Sequence, residues 1–241
     1  RLGAELPDVP LLNLMEMACL LHDVGNPPFG HFGESVLREW LATHLPALYE
    51  RSLQRTPSRQ WQTLLLPDLL AFDGNAQSLR LVHSLQRLNL TFSLLASLIK
   101  VPMGVMEVAA DQEAMPTKVG YFFSERHLVA AVRQTLGLPA GARFPLVYVM
   151  EAADDLCYCI ADLEDAVDRG LLTLGQLQSH LLAQWQGSDY LPRLLALGEH
   201  SEEGFFPAFR RQLSRDLVQV LADAYQQQES RILAGQFASP L

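Results

Sequence analysis

Residues 11–34 read LLNLMEMACLLHDVGNPPFGHFGE, and the change of character halfway along them decides how the chain folds. Leu11, Met15, Ala18 and His22 recur at helical spacing, so one face of a helix carries apolar side chains and then, in line with them, an imidazole. Asp23 follows directly, and adjacent His and Asp side chains at a helix end can both reach one divalent ion. The turn-forming run Gly25-Asn26-Pro27-Pro28-Phe29-Gly30 closes the helix and brings His31 and Glu34 back towards the same place. Two imidazoles and two carboxylates therefore fall within residues 22–34, in a chain with only 7 histidines. A capped helix end or a hydrogen-bonded core histidine would explain the His-Asp dipeptide alone, but the full string is far more specific.

Outward from this stretch, Leu, Ala, Gln, Glu and Arg keep recurring at three- and four-residue spacing and β-branched alternation is scarce. The periodicity predicts a nearly all-helical chain, with helices at 11–24, 31–46, 61–71, 75–89, 91–100, 125–136, 144–169, 173–186 and 206–233. At most a short strand pair is expected near 117–123, and the polar stretch 50–60 reads as a flexible surface connection. With 241 residues, 49% of them hydrophobic and 19% charged, the chain can bury a full core. A single domain over 1–241 is expected. Acidic residues outnumber basic ones by 27 to 18, a formal charge of −9, which argues against a surface that tracks a nucleic-acid backbone throughout. No apolar run reaches membrane-spanning length and no signal pattern opens the chain, so a soluble, cytoplasmic protein without a membrane partner is expected. Cys19, Cys157 and Cys159 sit in apolar helical patterns and read as small core residues, not as disulfide or zinc ligands.

A second constellation lies in Phe144 to Arg169, one long predicted helix. Glu151, Asp154, Tyr158, Asp162 and Asp165 step by three or four and share a face, flanked by Ala, Leu, Ile and Cys. A solvated charge run is the bland explanation. The apolar flanks instead suggest a buried helix whose acids face a cavity, where mutual repulsion calls for a cation. Phe72 to Gln77 looks like a turn leading into a helix, and Asn75, taken alone, is an N-cap. Only two of the 18 basic residues are lysines; Lys100 closes an apolar helix, and Lys118 has no assigned role. His44, His83, His127, His180 and His200 read as structural or surface residues.

The string from His22 to Glu34 resembles the HD-domain metal phosphohydrolases and, within them, the deoxyguanosinetriphosphate triphosphohydrolase family, with the likeness running from about Met15 to Phe237. The resemblance implies an all-α HD-domain helical bundle and a divalent metal, Mg²⁺ or Mn²⁺, held by His22, Asp23 and Asp154. The family's Asp-x-x-x-Tyr-x-x-x-Asp spacing is met by Asp154, Tyr158 and Asp162, the last two expected at the substrate. Asp73-Gly74-Asn75-Ala76-Gln77 is similar to the family's Glu-Gly-Asn-Ala-Gln segment, which implies that Asn75 contacts phosphate, and Lys100 is implied as a triphosphate ligand. His31 would be the general acid or base, with Glu34 orienting it. The implied reaction hydrolyses a deoxynucleoside triphosphate, preferentially dGTP, to the nucleoside and inorganic triphosphate. A homo-oligomer is implied as well, and single-stranded DNA is admitted as an effector. The family's first metal histidine lies in an Arg-x-x-His segment, and none precedes His22. The chain opens at Arg1 almost on the motif and is read as a fragment of a larger all-helical protein. The competing readings are another HD-type nucleotidase or phosphodiesterase, and a catalytically silent module that senses dNTPs.

Overall fold

A computed structural model of the chain describes residues 8–53, 58–59, 61–108, 118–237 and 239–241. It is all-helical: α1 (Asp8–Leu21), α2 (Gly30–Leu53), α3 (Leu66–Leu70), α4 (Gly74–Leu79), α5 (Phe92–Leu98), α6 (Val105–Val108), α7 (Arg126–Leu136), α8 (Pro145–Asp168), α9 (Leu174–Gln184), α10 (Tyr190–Glu199) and α11 (Phe205–Leu233). This is the architecture expected of an HD-type helical bundle. The contacts divide the chain into two compact units. One comprises the described residues of Arg1–Met150 with Arg231–Ala238, the other Glu151–Ser230 with Ser239–Leu241.

The first unit is organised around α5. Thr91 caps it, its hydroxyl accepting the Leu94 N–H at 3.3 Å, and Leu94 to Ile99 are all buried. A short helix that is apolar all round must be enclosed. Here α1, α4 and α7 pack against α5 and supply Ala18, Leu79, Val129 and Val132 to a common core, joined by Val82 from the turn after α4. Gly137, in the left-handed region at φ 65°, ends α7. A smaller cluster joins Ala71 and Ala76 to Val105, Val119 and Phe122.

Several sequence expectations change here. Helix α2 continues to Leu53, so residues 50–53 of the supposed flexible stretch are helical; 54–57 and 60 lie outside the described residues. Pro46 is accommodated within the helix, whose extension is anchored where the Tyr49 ring meets Trp61, centroids 4.2 Å apart. The predicted strand pair reduces, among the described residues, to one parallel bridge between Gly104 and Tyr121; residue 117 lies outside them. Beside this bridge Val105 already begins α6, and the Val119 N–H is taken by the Asp73 carboxylate at 3.3 Å. The helices predicted at 61–71 and 75–89 widen locally into π-helical turns at Trp61–Leu65 and Arg80–Leu85.

Burial pushes the Asp68 carboxyl up to about 6, against the opposing influence of the Phe123 N–H that it accepts at 2.9 Å and of the Arg80 charge. An acid whose folded pKa exceeds its unfolded value binds its proton more tightly when folded. The contribution of Asp68 to stability is therefore greatest below about pH 4 and falls as pH rises through about 6, by roughly 3 kcal/mol in all. Asp68→Asn keeps the acceptor and removes the titration. In urea melts at pH 4, 5, 6 and 7, the wild type loses ground to this variant by that amount, with most of the change complete by pH 6 to 7.

In the second unit, α9 opens with a Thr173–Gln176 capping box. Leu191, Leu194 and Leu195 of α10 pack with Phe209 of α11, whose ring stacks on Phe205 at 5.4 Å. The sequence reading did not anticipate α10. Pro192 looks like a breaker, yet in a first turn it removes no needed donor. The part of α8 in this unit is less enclosed than expected. Its inward stripe is Leu156, Ile160, Leu163 and Val167, at 3.6-residue period, which leaves Cys157 and Cys159 exposed and not in the core. Tyr158 is 63% exposed. The predicted acidic face does not line one cavity: a groove of about 230 Å³ takes Glu151, but with Asp155 and Cys159, opposite Leu217, Val220 and Leu221.

Candidate active site

The site begins where α1 stops. His22 continues the buried face of α1 and is mostly enclosed, its side chain 13% exposed, while the Asp23 side chain is 55% exposed. The His22 ring donates Nδ1–H to the Cys19 carbonyl at 2.7 Å. A carbonyl can only accept, so Nδ1 carries a proton, and Nε2 is the ring atom that faces Asp23 Oδ1 at 3.4 Å. An imidazole fixed through its other nitrogen, with a carboxylate on the same side, is the donor arrangement that divalent metals use. These two residues thus fit a Mg²⁺ or Mn²⁺ site in donor type and orientation. Among the described residues, no three His, Cys, Asp or Glu side chains gather into a complete metal-binding group.

The Pro-rich turn then reverses the chain. Phe29 and Gly30 both adopt positive φ, 67° and 54°, and α2 starts with His31 in its first turn. His31 is 78% exposed and Glu34 only 4%. Glu34 Oε2 meets His31 Nδ1 at 3.0 Å, and Arg38 reaches the same oxygen at 3.3 Å. The other oxygen, Oε1, accepts the Gly74 N–H of α4 at 2.7 Å. Burial by itself would raise the Glu34 carboxyl. The hydrogen bonds from His31 and Gly74 and the charges of His31 and Arg38 outweigh it and hold the group below the ordinary glutamate value. A charged Glu34 accepts from Nδ1–H, so His31 presents Nε2 outwards to solvent.

Helix α4 closes the back of this arrangement. Its N-cap is Asp73, not Asn75: the Asp73 carboxylate accepts the Asn75 backbone N–H at 2.8 Å and the Asn75 side-chain amide at 2.9 Å. Asn75 is half-buried, one residue from the Gly74 amide that holds Glu34. Lys100 is half-buried just beyond α5. Asp154, Tyr158 and Asp162 lie on α8 in the second unit, where the Tyr158 hydroxyl bonds to Asp162 and that bond raises the phenol above its ordinary value. The structure thus pairs His22 with Asp23, His31 with Glu34 and Tyr158 with Asp162. His44, His83, His127, His180 and His200 are exposed, as expected of surface residues.

Sequence reasoning missed Arg38, Ser78 and the two glycines that let the loops meet. A Cβ on Gly25 would lie under 3 Å from the Ser78 nitrogen and the Gly74 oxygen, and one on Gly74 equally close to Asn26 Oδ1 and Glu34 Oε1. The available signal was a serine on the otherwise apolar face of a helix, where a polar group needs a partner.

An all-helical bundle with a His-Asp pair at the end of a core helix, backed by a buried Glu-His pair, is consistent with the HD-domain helical bundles. Over 183 residues, 73% of its length, the chain is 46% identical to a probable deoxyguanosinetriphosphate triphosphohydrolase of Pseudomonas aeruginosa. The chain is therefore a relative of the deoxyguanosinetriphosphate triphosphohydrolases, and the resemblance seen in its motifs is borne out. The matched region is 36% of that protein, so the chain spans about a third of its relative's length. No family model matches the chain. Among the described residues, no helix is long and apolar enough to cross a membrane.

Proposed function

We propose that the chain carries the catalytic residues for hydrolysis of dGTP, and of other dNTPs to a lesser degree, to the deoxynucleoside and inorganic triphosphate. The observation that supports this best is the His31–Glu34–Gly74 relay. A solvent-facing imidazole is held from behind by a buried, charged carboxylate, and that carboxylate is held by a backbone amide. His31 Nε2 takes a proton from the attacking water or delivers one to the departing 5′-oxygen, while Glu34 fixes the ring and stabilises the imidazolium. By the family likeness, His22, Asp23 and Asp154 would hold Mg²⁺ or Mn²⁺. When bound, the cation polarises the α-phosphate and lowers the pKa of the attacking water. By the same likeness Asn75 and Lys100 contact the phosphates, Asp162 lies at the sugar end, and the Tyr158 hydroxyl serves a phosphate oxygen or the ribose. The same reading places the protein in the cytoplasm, acting on the dNTP pool as a homo-oligomer, with single-stranded DNA as an effector.

The test is to incubate the protein with each of the four dNTPs and Mg²⁺ or Mn²⁺ and to resolve the products by ion exchange. Deoxyguanosine with intact triphosphate is the expected result. Monophosphate products point instead to another HD-type hydrolase, and nucleotide binding without turnover to a silent sensor.

A further inference from the structure

Ser78 sits in α4 with its side chain fully buried, more than fifty residues along the chain from the turn that it touches. Its Oγ accepts the Gly25 N–H at 2.9 Å and donates to the His22 carbonyl at 3.0 Å. One hydroxyl therefore spans both ends of the four-residue turn that displays His22 and Asp23. The backbone adds two bonds of its own around that turn, Val24 N–H to Leu21 O at 3.3 Å and Asn26 N–H to Asp23 O at 3.0 Å. Gly25 lies so close to Ser78 and Gly74 that no Cβ fits between them, so the turn rests directly on the α4 backbone. The His22 ring is steered from one side by the Cys19 carbonyl, and the carbonyl of His22 itself is held by Ser78. The angle at which the imidazole and the Asp23 carboxylate face each other depends on both anchors.

We infer that Ser78 is a positioning residue for the His22–Asp23 pair, its hydroxyl clamping the turn so that the two ligand atoms converge on one cation. This rests on the metal reading proposed above and adds to it a residue outside the ligand set. Supporting groups of this kind typically carry a 10- to 100-fold effect on metal affinity.

The experiment is a Mn²⁺ titration of the full chain followed by loss of the free-ion EPR signal, with circular dichroism recording the folded fraction of each protein. Ser78→Ala is compared with Ser97→Ala, which removes an equally buried hydroxyl that only bonds the Ser93 carbonyl within α5. The expected result is Mn²⁺ affinity about 10-fold or more below wild type for Ser78→Ala and unchanged for Ser97→Ala, both measured where they are folded. Equal affinities for Ser78→Ala and wild type overturn the inference and leave the metal reading standing. If the wild type takes up no Mn²⁺, the metal reading falls and the inference falls with it. Should Ser78→Ala not fold, the isosteric pair Ser78→Thr and Ser78→Val decides. Binding kept by Thr and lost by Val supports the clamp, and equal binding by the two overturns it.

Discussion

On the proposed function, replacing His31 by alanine is expected to lower dGTP turnover by roughly 10²- to 10⁴-fold, the span by which a positioned acid or base accelerates proton transfer, and to leave Mn²⁺ affinity unchanged. The separation of the two readouts follows from the geometry. The His31 side chain is largely in solvent and its one recorded side-chain partner is Glu34, so truncation opens no core cavity and removes nothing from the His22–Asp23 turn. What it removes is the Nε2 that Glu34 aims outwards. The buried Glu34 carboxylate keeps the Gly74 N–H and Arg38, so the fold tolerates the loss. Thermal melts, Mn²⁺ titration and single-turnover hydrolysis on the same preparation check all three statements. Unchanged turnover would remove His31 from the chemistry.

Gly25→Ala is the substitution expected to do most damage to the fold. Gly25 does not need a left-handed backbone; it needs the absence of a Cβ, because the Ser78 nitrogen and the Gly74 carbonyl oxygen already occupy that space. Both are main-chain atoms, so no side chain can swing aside. The turn or α4 has to move, and with it the Gly25–Ser78 and Glu34–Gly74 hydrogen bonds. Overpacking that displaces backbone costs about 3 kcal/mol or more, which for a unit of this size is a fall in Tm of roughly 6–12 °C. Turnover is lost along with it, since His22 and Glu34 are both tied to α4. Gly175→Ala in the first turn of α9 is the control: nothing lies within 4 Å of the added carbon, and alanine favours a helix by up to about 1 kcal/mol. Differential scanning calorimetry of the two variants beside wild type measures both effects. A Tm for Gly25→Ala within 2 °C of wild type would show that α4 and the turn are not held against each other as described.

The helical class was legible from periodicity because amphipathic spacing is a local property: α1, α5, α7, α8, α9 and α11 all fall where their apolar residues recur. The errors came where a local signal was ambiguous. Residues 190–199, which contain Pro192 and Gly198, were not read as a helix yet form α10, and α2 runs past the expected end at 46, with Pro46 inside it. The cysteines of α8 were misjudged for a related reason. Composition says that a helix has apolar residues, but only the neighbouring elements select which third of its circumference is covered.

The candidate site divides along the same line. The string from His22 to Glu34 already contained the residue types, their order and their likeness to a family, because adjacent ligands and a one-turn His–Glu spacing are written in consecutive residues. Tertiary structure alone decided what holds them. The buried Glu34 carboxylate is held by an amide forty residues away, and the His22 turn is closed by the hydroxyl of Ser78 from another helix. Such bonds join positions whose separation in sequence bears no relation to their distance in space, so no reading of spacing along the chain can find them.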